Sequence, residues 1–371
     1  MSELEALALA GDAVARRKWA RELELQERHD EALEQLSEAA LAEDPPAMAL
    51  LGARLMLGER CPLDPLTGYR LILDAADKGQ AEACELAAAL VATGVNQAPD
   101  FISGLQYLQS AAELGEPRAR RQLILLSEDR ELAEAARGSA PRDIWRRLAS
   151  SVNLKAWLTP PAPRIVFQEP MIMTFERFLP PDACAWLIER ARGMTVPARI
   201  YDNRKGGLKE DDRRSNHVAL FRPPAFDFVI ALIRARIAAA ARMPPPALEG
   251  FSVLHYTPGQ RFTPHHDYME PSIPGQAASL VEHGQRVGTF LTYLNTDFDG
   301  GQTRFPMLNW QYRGGLGDAI LFINVDRQGE PEKRTLHEGV ATSRGEKWLL
   351  SQFIRNKPQP YDGAAPLVEE E

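Results

Sequence analysis

Residues 251–268 read FSVLHYTPGQRFTPHHDY, a run of β-forming residues, a turn of Thr, Pro and Gly, and a second run that ends in two histidines. Short apolar runs bounded by glycine and proline recur from residue 164 onward, and this spacing indicates a β-rich domain. The runs are Ile165 to Phe167, Phe251 to Tyr256, Thr289 to Leu294, Ala319 to Ile323 and Trp348 to Ile354. Helical patterns over Pro181 to Arg192 and Phe226 to Arg242 interrupt them. We expect these helices to cover one face of a two-sheet jelly roll, a double-stranded β-helix.

The end of this stretch carries a potential chelate. On a strand, side chains alternate between faces, so His265 and Asp267 should point the same way and His266 the opposite way. His337 follows 70 residues after Asp267, on another strand that a jelly roll can bring opposite the first pair. Two imidazoles and one carboxylate on one side of an ion are typical of non-haem Fe(II) oxygenases. A lone His-x-Asp is more often a chance or structural pair.

Lys347 is the second indication. It begins a mostly apolar strand that continues from Trp348 to Ile354. An ammonium group that enters a buried sheet needs a negative partner, because an unpaired buried charge is costly. The carboxylate of an acidic co-substrate would be such a partner. The alternative is that Lys347 sits at the exposed edge of its strand.

Several ordered motifs from about residue 165 to 357 resemble the prolyl 4-hydroxylase-like Fe(II)/2-oxoglutarate-dependent dioxygenases. The matching segments are Glu249-Gly250-Phe251, Tyr256-Thr257-Pro258-Gly259-Gln260, Phe262-x-x-His265-x-Asp267-Tyr268, Gln285-Arg286-Val287-Gly288-Thr289, Tyr293-Leu294, Gly300 to Pro306, Gly317-Asp318-Ala319, His337-Glu338-Gly339 and Gly345-Glu346-Lys347-Trp348.

The resemblance implies roles for the matched residues. His265, Asp267 and His337 would hold Fe(II), and Lys347 would pair with the distal carboxylate of 2-oxoglutarate. Tyr256 would hydrogen-bond the same carboxylate, and Thr303 is a further candidate for it, although each could instead be an ordinary sheet residue. The cofactors implied are Fe(II), 2-oxoglutarate and O2, with ascorbate as an optional addition.

Other residues of the domain have less certain roles. We expect His255, His266 and His283 to be structural or surface residues, because none has a paired ligand. The arginine-threonine-serine usual in the family reads Arg213-Arg214-Ser215 here. This departure lies in a Gly-containing, charged segment, 193–215, which could close over a substrate or could be a solvated loop without a role.

The first third of the chain is rich in Ala and Leu and repeats with a period of 36 residues. Asp64 maps onto Asp100, Gly68 onto Gly104 and Gly79 onto Gly115, and about three units are present. Such periods indicate a solenoid of helical hairpins, with Gly58 and Gly94 where a helix should stop. Residues 10 to 126 resemble the Sel-one-like relatives of tetratricopeptide repeats. The array could recruit a protein partner or could only support the second domain.

Length and composition limit the domain organisation and partners. For 371 residues we expect two domains: helical repeats over 1–126, a helical and Pro-rich linker over 127–163, a dioxygenase domain over 164–358 and an acidic tail over 359–371. A net charge of -8 disfavours a nucleic-acid partner. Three scattered cysteines, an acidic start and the lack of a long apolar run predict a soluble cytoplasmic protein without a membrane span.

The predicted fold class is an α+β multidomain protein. The predicted function is hydroxylation of a prolyl residue of a protein or peptide. The enzyme would convert 2-oxoglutarate to succinate and CO2 in the same reaction. One alternative keeps the reaction but takes a free amino acid or another small molecule as substrate. Another is a non-catalytic adaptor built on the repeats. A zinc hydrolase with the same triad is disfavoured, because it gives Lys347 and Tyr256 no co-substrate to bind.

Overall fold

The computed structural model describes residues 2–94, 98–138, 143–201, 208–222 and 225–359. The chain divides into two compact units. One unit comprises Met1–Leu154 and Pro223–Leu232, and the other comprises Lys155–Arg222 and Ile233–Glu371.

The chain begins with consecutive helices. They are α1 Glu3–Leu9, α2 Ala13–Leu25, α3 His29–Leu41, α4 Pro45–Leu57, α5 Pro65–Asp77, α6 Ala81–Thr93, α7 Phe101–Leu114, α8 Pro117–Leu126, α9 Arg130–Ala135, α10 Asp143–Ser150 and α11 Leu154–Leu158. Asp64 and Asp100 cap α5 and α7, since their side chains accept hydrogen bonds from backbone amides of the first turn. Gly58 and Gly94 end α4 and α6 in the left-handed conformation, as the repeat predicts.

The repeated small residues mark where helices touch. A Cβ atom added to Gly68 would lie 2.5 Å from the carbonyl oxygen of Gly52, and one added to Gly104 would lie 2.8 Å from that of Ala88. Both contacts join residues that are 16 apart, and the second contact is the first one moved on by a period of 36. The repeat therefore preserves a backbone-to-backbone approach between α4 and α5 and between α6 and α7, which a larger side chain would prevent.

Strands dominate the rest of the chain. They are β1 Arg164–Gln168, β2 Met171–Phe175, β3 Val196–Pro197, β4 Arg199–Tyr201, β5 Leu208–Glu210, β6 His217–Phe221, β7 Phe251–Tyr256, β8 Phe262–His265, β9 Arg286–Tyr293, β10 Phe298–Gly300, β11 Thr303–Phe305, β12 Trp310–Tyr312, β13 Ala319–Ile323, β14 His337–Gly339, β15 Thr342–Gly345 and β16 Lys347–Arg355. Helices α12 Pro181–Ala191, α13 Phe228–Ala241 and α14 Pro274–His283 lie between strands.

Two antiparallel sheets enclose the core of this unit. The larger has the order β1-β2-β13-β9-β16-β7-β6-β3, and the smaller has the order β12-β11-β14-β8. Phe305 of the smaller sheet packs edge-on against Phe322 of the larger, with ring centres 5.2 Å apart. The predicted class, a helical repeat region followed by a β-rich domain, is confirmed, and the β-rich domain is antiparallel.

The predicted domain limits stay predictions. The segment 127–163, expected to be a linker, contains α9, α10 and α11. All but the first residue of the expected acidic tail lies outside the described residues. Gly206 and Gly207, the glycines in the middle of the charged segment 193–215, also lie outside them. Among the helices of the described ranges, none is both long enough and apolar enough to cross a membrane.

Candidate metal centre and co-substrate pocket

Two histidines meet across neighbouring strands. His265 is the last residue of β8, and His337 is the first residue of β14. The two residues are direct partners in the antiparallel ladder, and their ring centres are 4.3 Å apart. The prediction that a distant strand brings His337 opposite the His-x-Asp pair is therefore confirmed.

Asp267 reaches the histidines in a different way from the one expected. The sequence predicts that His265 and Asp267 share a strand, but β8 ends at His265 and Asp267 follows it outside the strand. The hydroxyl of Thr289 donates a hydrogen bond of 2.7 Å to Asp267 Oδ2 and holds the carboxylate in place. Asp267 Oδ1 lies 3.6 Å from His265 Nε2, and Oδ2 lies 3.4 Å from His337 Nε2. One ligand atom from each residue lies within 4.8 Å of the others, a spacing that fits a single metal ion.

The hydrogen bonds of both imidazoles favour metal binding through Nε2. His265 Nδ1 lies 2.8 Å from the Thr263 carbonyl oxygen, and His337 Nδ1 lies 3.0 Å from that of Thr335. A carbonyl only accepts, so each Nδ1 carries the proton and each Nε2 keeps its lone pair. Burial, with the neighbouring His337 ring, lowers the pKa of His265 to about 3, so this ring is a neutral ligand at neutral pH. Two imidazoles that each present Nε2, together with a carboxylate, suit Fe(II).

The other histidines of the segment lie elsewhere, as expected. His266 stacks on Tyr268 and its Nε2 faces the Lys333 carbonyl oxygen at 3.0 Å. His255 stacks on Trp348 with ring centres 4.0 Å apart, on the sheet face opposite to Tyr256. His283 is buried at the end of α14. These three histidines are therefore held by contacts away from the triad.

Lys347 is buried and not at an exposed edge. Its side chain is 1% exposed, and its ammonium nitrogen lies 5.0 Å from the ring centre of Tyr256 and 5.2 Å from that of Tyr293. Burial lowers the pKa of Lys347 to about 7. Within the described ranges no carboxylate forms an ion pair with it. A small dicarboxylate that fills this space would supply the missing negative charge.

Tyr256 lies directly beside this ammonium group, and Thr303 is connected to it through Tyr293. Tyr256 is the cross-strand partner of Lys347, and burial raises its pKa to about 12, so its hydroxyl remains a hydrogen-bond donor. Thr303 is buried, and its hydroxyl lies 3.0 Å from that of Tyr293. Gly301 lies close enough that an added Cβ atom would approach the Lys347 side chain to 3.1 Å. The three residues expected around the co-substrate carboxylate are therefore brought together, and their roles stay predictions.

Three residues, Thr289, Asn324 and Tyr293, support the site in roles that the sequence did not indicate. Thr289 orients Asp267 and accepts a hydrogen bond of 3.0 Å from Asn324. Tyr293 joins Thr303 to the carbonyl oxygen of Tyr312, which its hydroxyl reaches at 2.9 Å. Threonine and tyrosine in apolar strands match ordinary β-sheet composition, so nothing in the pattern singles them out.

The arrangement separates two tasks. The triad offers three ligands on one side of an ion and leaves the other positions open, while Lys347 and Tyr256 present a cation and a donor to a carboxylate. An Fe(II) ion held by the triad would supply the oxidation chemistry. The protein positions the reactants and, through the buried aromatic residues around Lys347, keeps water away from the co-substrate.

Comparisons with known proteins agree with this geometry. Residues 251–355 match the family model described as the 2OG-Fe(II) oxygenase superfamily. The chain is 32% identical over 209 residues to prolyl 4-hydroxylase 1 of Arabidopsis thaliana, a match that covers 53% of this chain and 72% of that relative. It is 30% identical over 210 residues to probable prolyl 4-hydroxylase 10 of the same plant, covering 52% of this chain and 71% of that relative.

Two solved structures are each similar to a part of the chain. A viral collagen prolyl hydroxylase from Paramecium Bursaria Chlorella virus-1, in complex with 2OG, is 25% identical and covers 49% of this chain and 94% of its own, with a TM-score of 0.38. A Sel1 repeat protein from Oxalobacter formigenes is 24% identical and covers 32% of this chain and 93% of its own, with a TM-score of 0.31. On the strength of the family match and of the identity to prolyl 4-hydroxylase 1, this chain belongs to the prolyl 4-hydroxylase-like 2OG-Fe(II) oxygenases and is a 2-oxoglutarate-dependent dioxygenase.

Proposed function

We propose that this protein hydroxylates a prolyl residue in a protein or peptide and converts 2-oxoglutarate to succinate and CO2 in the same reaction. The observation that carries the proposal is that the His265–Asp267–His337 triad and the buried Lys347 occur in one domain. The prolyl substrate is supported by the Arabidopsis relatives, which are prolyl 4-hydroxylases by name.

In this proposal the residues have two roles, metal binding and co-substrate binding. His265, Asp267 and His337 hold Fe(II), and Lys347, Tyr256 and Thr303 bind the distal carboxylate of 2-oxoglutarate. Ascorbate serves as an additional cofactor in this proposal. Its effect is measured as the number of turnovers completed before activity decays, with and without ascorbate. An unchanged number would remove ascorbate from the scheme.

The same proposal includes the fold of the catalytic domain, the role of the repeats and the cellular compartment. The two packed sheets form a double-stranded β-helix, the N-terminal repeats recruit the protein substrate, and the enzyme works in the cytoplasm. The repeated Gly68 and Gly104 contacts support the recruiting role only in that they keep a regular array of helices. A binding experiment tests that role. Full-length protein is used to capture its partners, and the amount of captured partner is compared with and without a competing fragment of that partner.

The test of the reaction uses full-length protein with Fe(II), 2-oxoglutarate and proline-containing peptides. We expect succinate and a peptide heavier by one oxygen atom. The variant His265→Ala should lose both products, whereas His266→Ala, which changes the next residue, should retain them. Iron-loaded protein that never consumes 2-oxoglutarate would contradict the proposal. Hydroxylation of free L-proline but of no peptide would favour a small-molecule substrate instead.

A further inference from the structure

The segment that departs from the family pattern lies directly beside the metal-binding strand. The backbone amide of Thr263 donates to the Arg213 carbonyl oxygen at 2.8 Å, and the amide of Ser215 donates to that of Arg261 at 3.1 Å. Arg214 forms an isolated antiparallel bridge with Phe262, three residues before His265. Residues 213–215 therefore extend the edge of the smaller sheet next to β8.

The guanidinium group of Arg214 lies close to an iron ligand. Its central carbon is 4.9 Å from the ring centre of Phe262. The same Phe262 ring stacks on the imidazole of His265, with ring centres 3.5 Å apart and 14° between the planes. One aromatic ring thus contacts both the cation and the metal ligand, so a substrate atom near the metal would also be near Arg214.

Three other arginines near the site already have carboxylate partners. Arg213 pairs with Asp211 at 2.9 Å and 3.1 Å. Arg286 makes a two-pronged contact with Glu249 at 2.6 Å and 2.8 Å, and Arg355 also pairs with Glu249. Each of these guanidinium groups therefore has its hydrogen-bond donors directed at a carboxylate of the protein, which leaves fewer donors for a substrate.

Arg214 differs from them. Its hydrogen bond to Asn216 Oδ1 is long, 3.4 Å, and in the part of the chain that the structure describes no carboxylate forms an ion pair with it. Burial lowers the pKa of Arg214, but a guanidinium remains charged at neutral pH. The Asp267 carboxylate attracts Arg214 through space, but among the described residues it forms no direct ion pair with it. A carboxylate bound by both prongs of the guanidinium would therefore stabilise this partly buried charge.

The position of Arg214 indicates which carboxylate it would bind. Lys347 is almost fully buried and suits the co-substrate, whereas Arg214 is partly exposed at the edge of the smaller sheet. We propose that Arg214 determines substrate specificity by binding a carboxylate of the substrate, either an acidic side chain next to the target residue or a free C-terminus. The inference rests on the proposed function and adds to it a class of substrate.

The experiment compares matched peptides on the full-length enzyme loaded with Fe(II) and 2-oxoglutarate. One pair carries Glu or Gln beside a central proline, with both ends blocked. The other pair carries a free or an amidated C-terminus after the proline. KM and kcat are measured for each peptide. In wild type we expect the carboxylate member of one pair to have a KM lower by about tenfold or more, as for a charge-assisted hydrogen bond.

Variants of Arg214 and Arg213 test whether Arg214 causes the preference for acidic peptides. Arg214→Gln should raise the KM of the preferred acidic peptide to that of its amide partner and leave kcat and the KM for 2-oxoglutarate little changed. Arg214→Lys should keep part of the preference, because it retains the charge and loses the two-pronged geometry. Arg213→Gln, which alters the neighbouring guanidinium already held by Asp211, is the control and should keep the full preference.

Three results would overturn the inference. One is an equal loss for acidic and amide peptides, which would indicate a structural role beside His265. Another is a raised KM for 2-oxoglutarate alone, which would assign Arg214 to the co-substrate. The third comes from calorimetric binding of the same peptides with alanine in place of proline. Equal binding of acidic and amide versions to wild type would exclude the carboxylate site. Because this binding is measured without hydroxylation, its failure is distinguishable from failure of the proposed function.

Discussion

Lys347 and Tyr256 are direct partners on neighbouring antiparallel strands, and the ammonium nitrogen of Lys347 lies 5.0 Å from the centre of the tyrosine ring. The pairing fixes a cation and a hydroxyl donor in the interior of the dioxygenase domain. Tyr293 adds a second ring near the ammonium group, at 5.2 Å. The pocket is therefore arranged for a carboxylate before one is bound.

Replacement of Lys347 by methionine should separate stability from binding. Without 2-oxoglutarate, Lys347→Met should be at least as stable as wild type, because it removes a buried charge and keeps most of the side-chain volume. Its affinity for 2-oxoglutarate should fall by about tenfold or more, as expected for a lost charge-assisted hydrogen bond. Thermal unfolding and calorimetric titration measure the two effects.

Lys357→Met is the control for this prediction. Lys357 is an exposed residue whose ammonium group donates to the Val281 carbonyl oxygen. The change should leave 2-oxoglutarate binding unaltered. Marked loss of stability in Lys347→Met without 2-oxoglutarate would contradict the account of an uncompensated buried charge.

The same lysine predicts a pH dependence of stability. Its pKa is about 7 in the folded protein and 10.5 in the reference state. Between these values the unfolded chain holds a proton that the folded chain does not, so the free energy of unfolding contributed by this group rises with pH. Lys347 lowers the free energy of unfolding by its full amount below pH 7 and by nothing above pH 10.5. The full amount is ~1.4 kcal/mol for each unit by which the pKa is shifted.

Wild type and Lys347→Met should therefore converge in stability as the pH rises from 7 toward 10, when both are measured without 2-oxoglutarate. Denaturant unfolding at several pH values checks this, and the difference between the two proteins cancels the other titrating groups. A difference that stays constant over that range would show that Lys347 does not titrate there.

The hydroxyl of Thr289 should tune the metal site. Thr289→Val removes the hydrogen bond to Asp267 and leaves the Asn324 amide without its acceptor. We expect affinity for Fe(II) to fall by about 10- to 100-fold, as for other groups that orient metal ligands. Anaerobic metal titration measures the loss.

Thr292→Val is the matched control on the same strand. Thr292 is buried, and its hydroxyl has no hydrogen-bond partner among the described residues. Its replacement should leave metal affinity unchanged and should not lower stability, because an unsatisfied polar group is removed. Equal loss of metal affinity in the two variants would refute the orienting role of Thr289.

The helical repeats should be sensitive to one added methyl group. Gly68→Ala places a Cβ atom 2.5 Å from the Gly52 carbonyl oxygen and should lower the free energy of unfolding by about 1–3 kcal/mol, the usual cost of overpacking. Gly138→Ala is the control, since its nearest neighbour would be 3.8 Å away. Circular dichroism during heating measures both, and similar melting of the two variants would contradict the proposed close approach.

Much of the site follows from local sequence rules. The alternation of side chains on a strand places His255 and Tyr256 on opposite faces of β7, and the repeat of 36 residues marks the glycines where helices touch. Strand Phe251–Tyr256 was predicted with its observed limits. These features depend on neighbours a few residues apart, or on copies of one pattern, and are therefore readable in the sequence.

The error at Asp267 shows where such rules stop. The two side chains of the His-x-Asp pair do lie close together, but for a different reason from the one expected, since Asp267 lies beyond the end of β8 and is held by Thr289. Thr289 and Asn324 are 35 residues apart and meet by a side-chain hydrogen bond. No local periodicity links them, so the sequence does not identify this support.

The sequence by itself determined the types of metal ligand, the lysine for an acidic co-substrate and the helical repeat, because each is encoded by residue type and spacing. Only the tertiary structure decided that Lys347 is buried, that Thr289 orients Asp267 and that Arg214 contacts the ring that stacks on His265. These relationships depend on which strands pair and in which register, and register is set by the packing of the whole sheet.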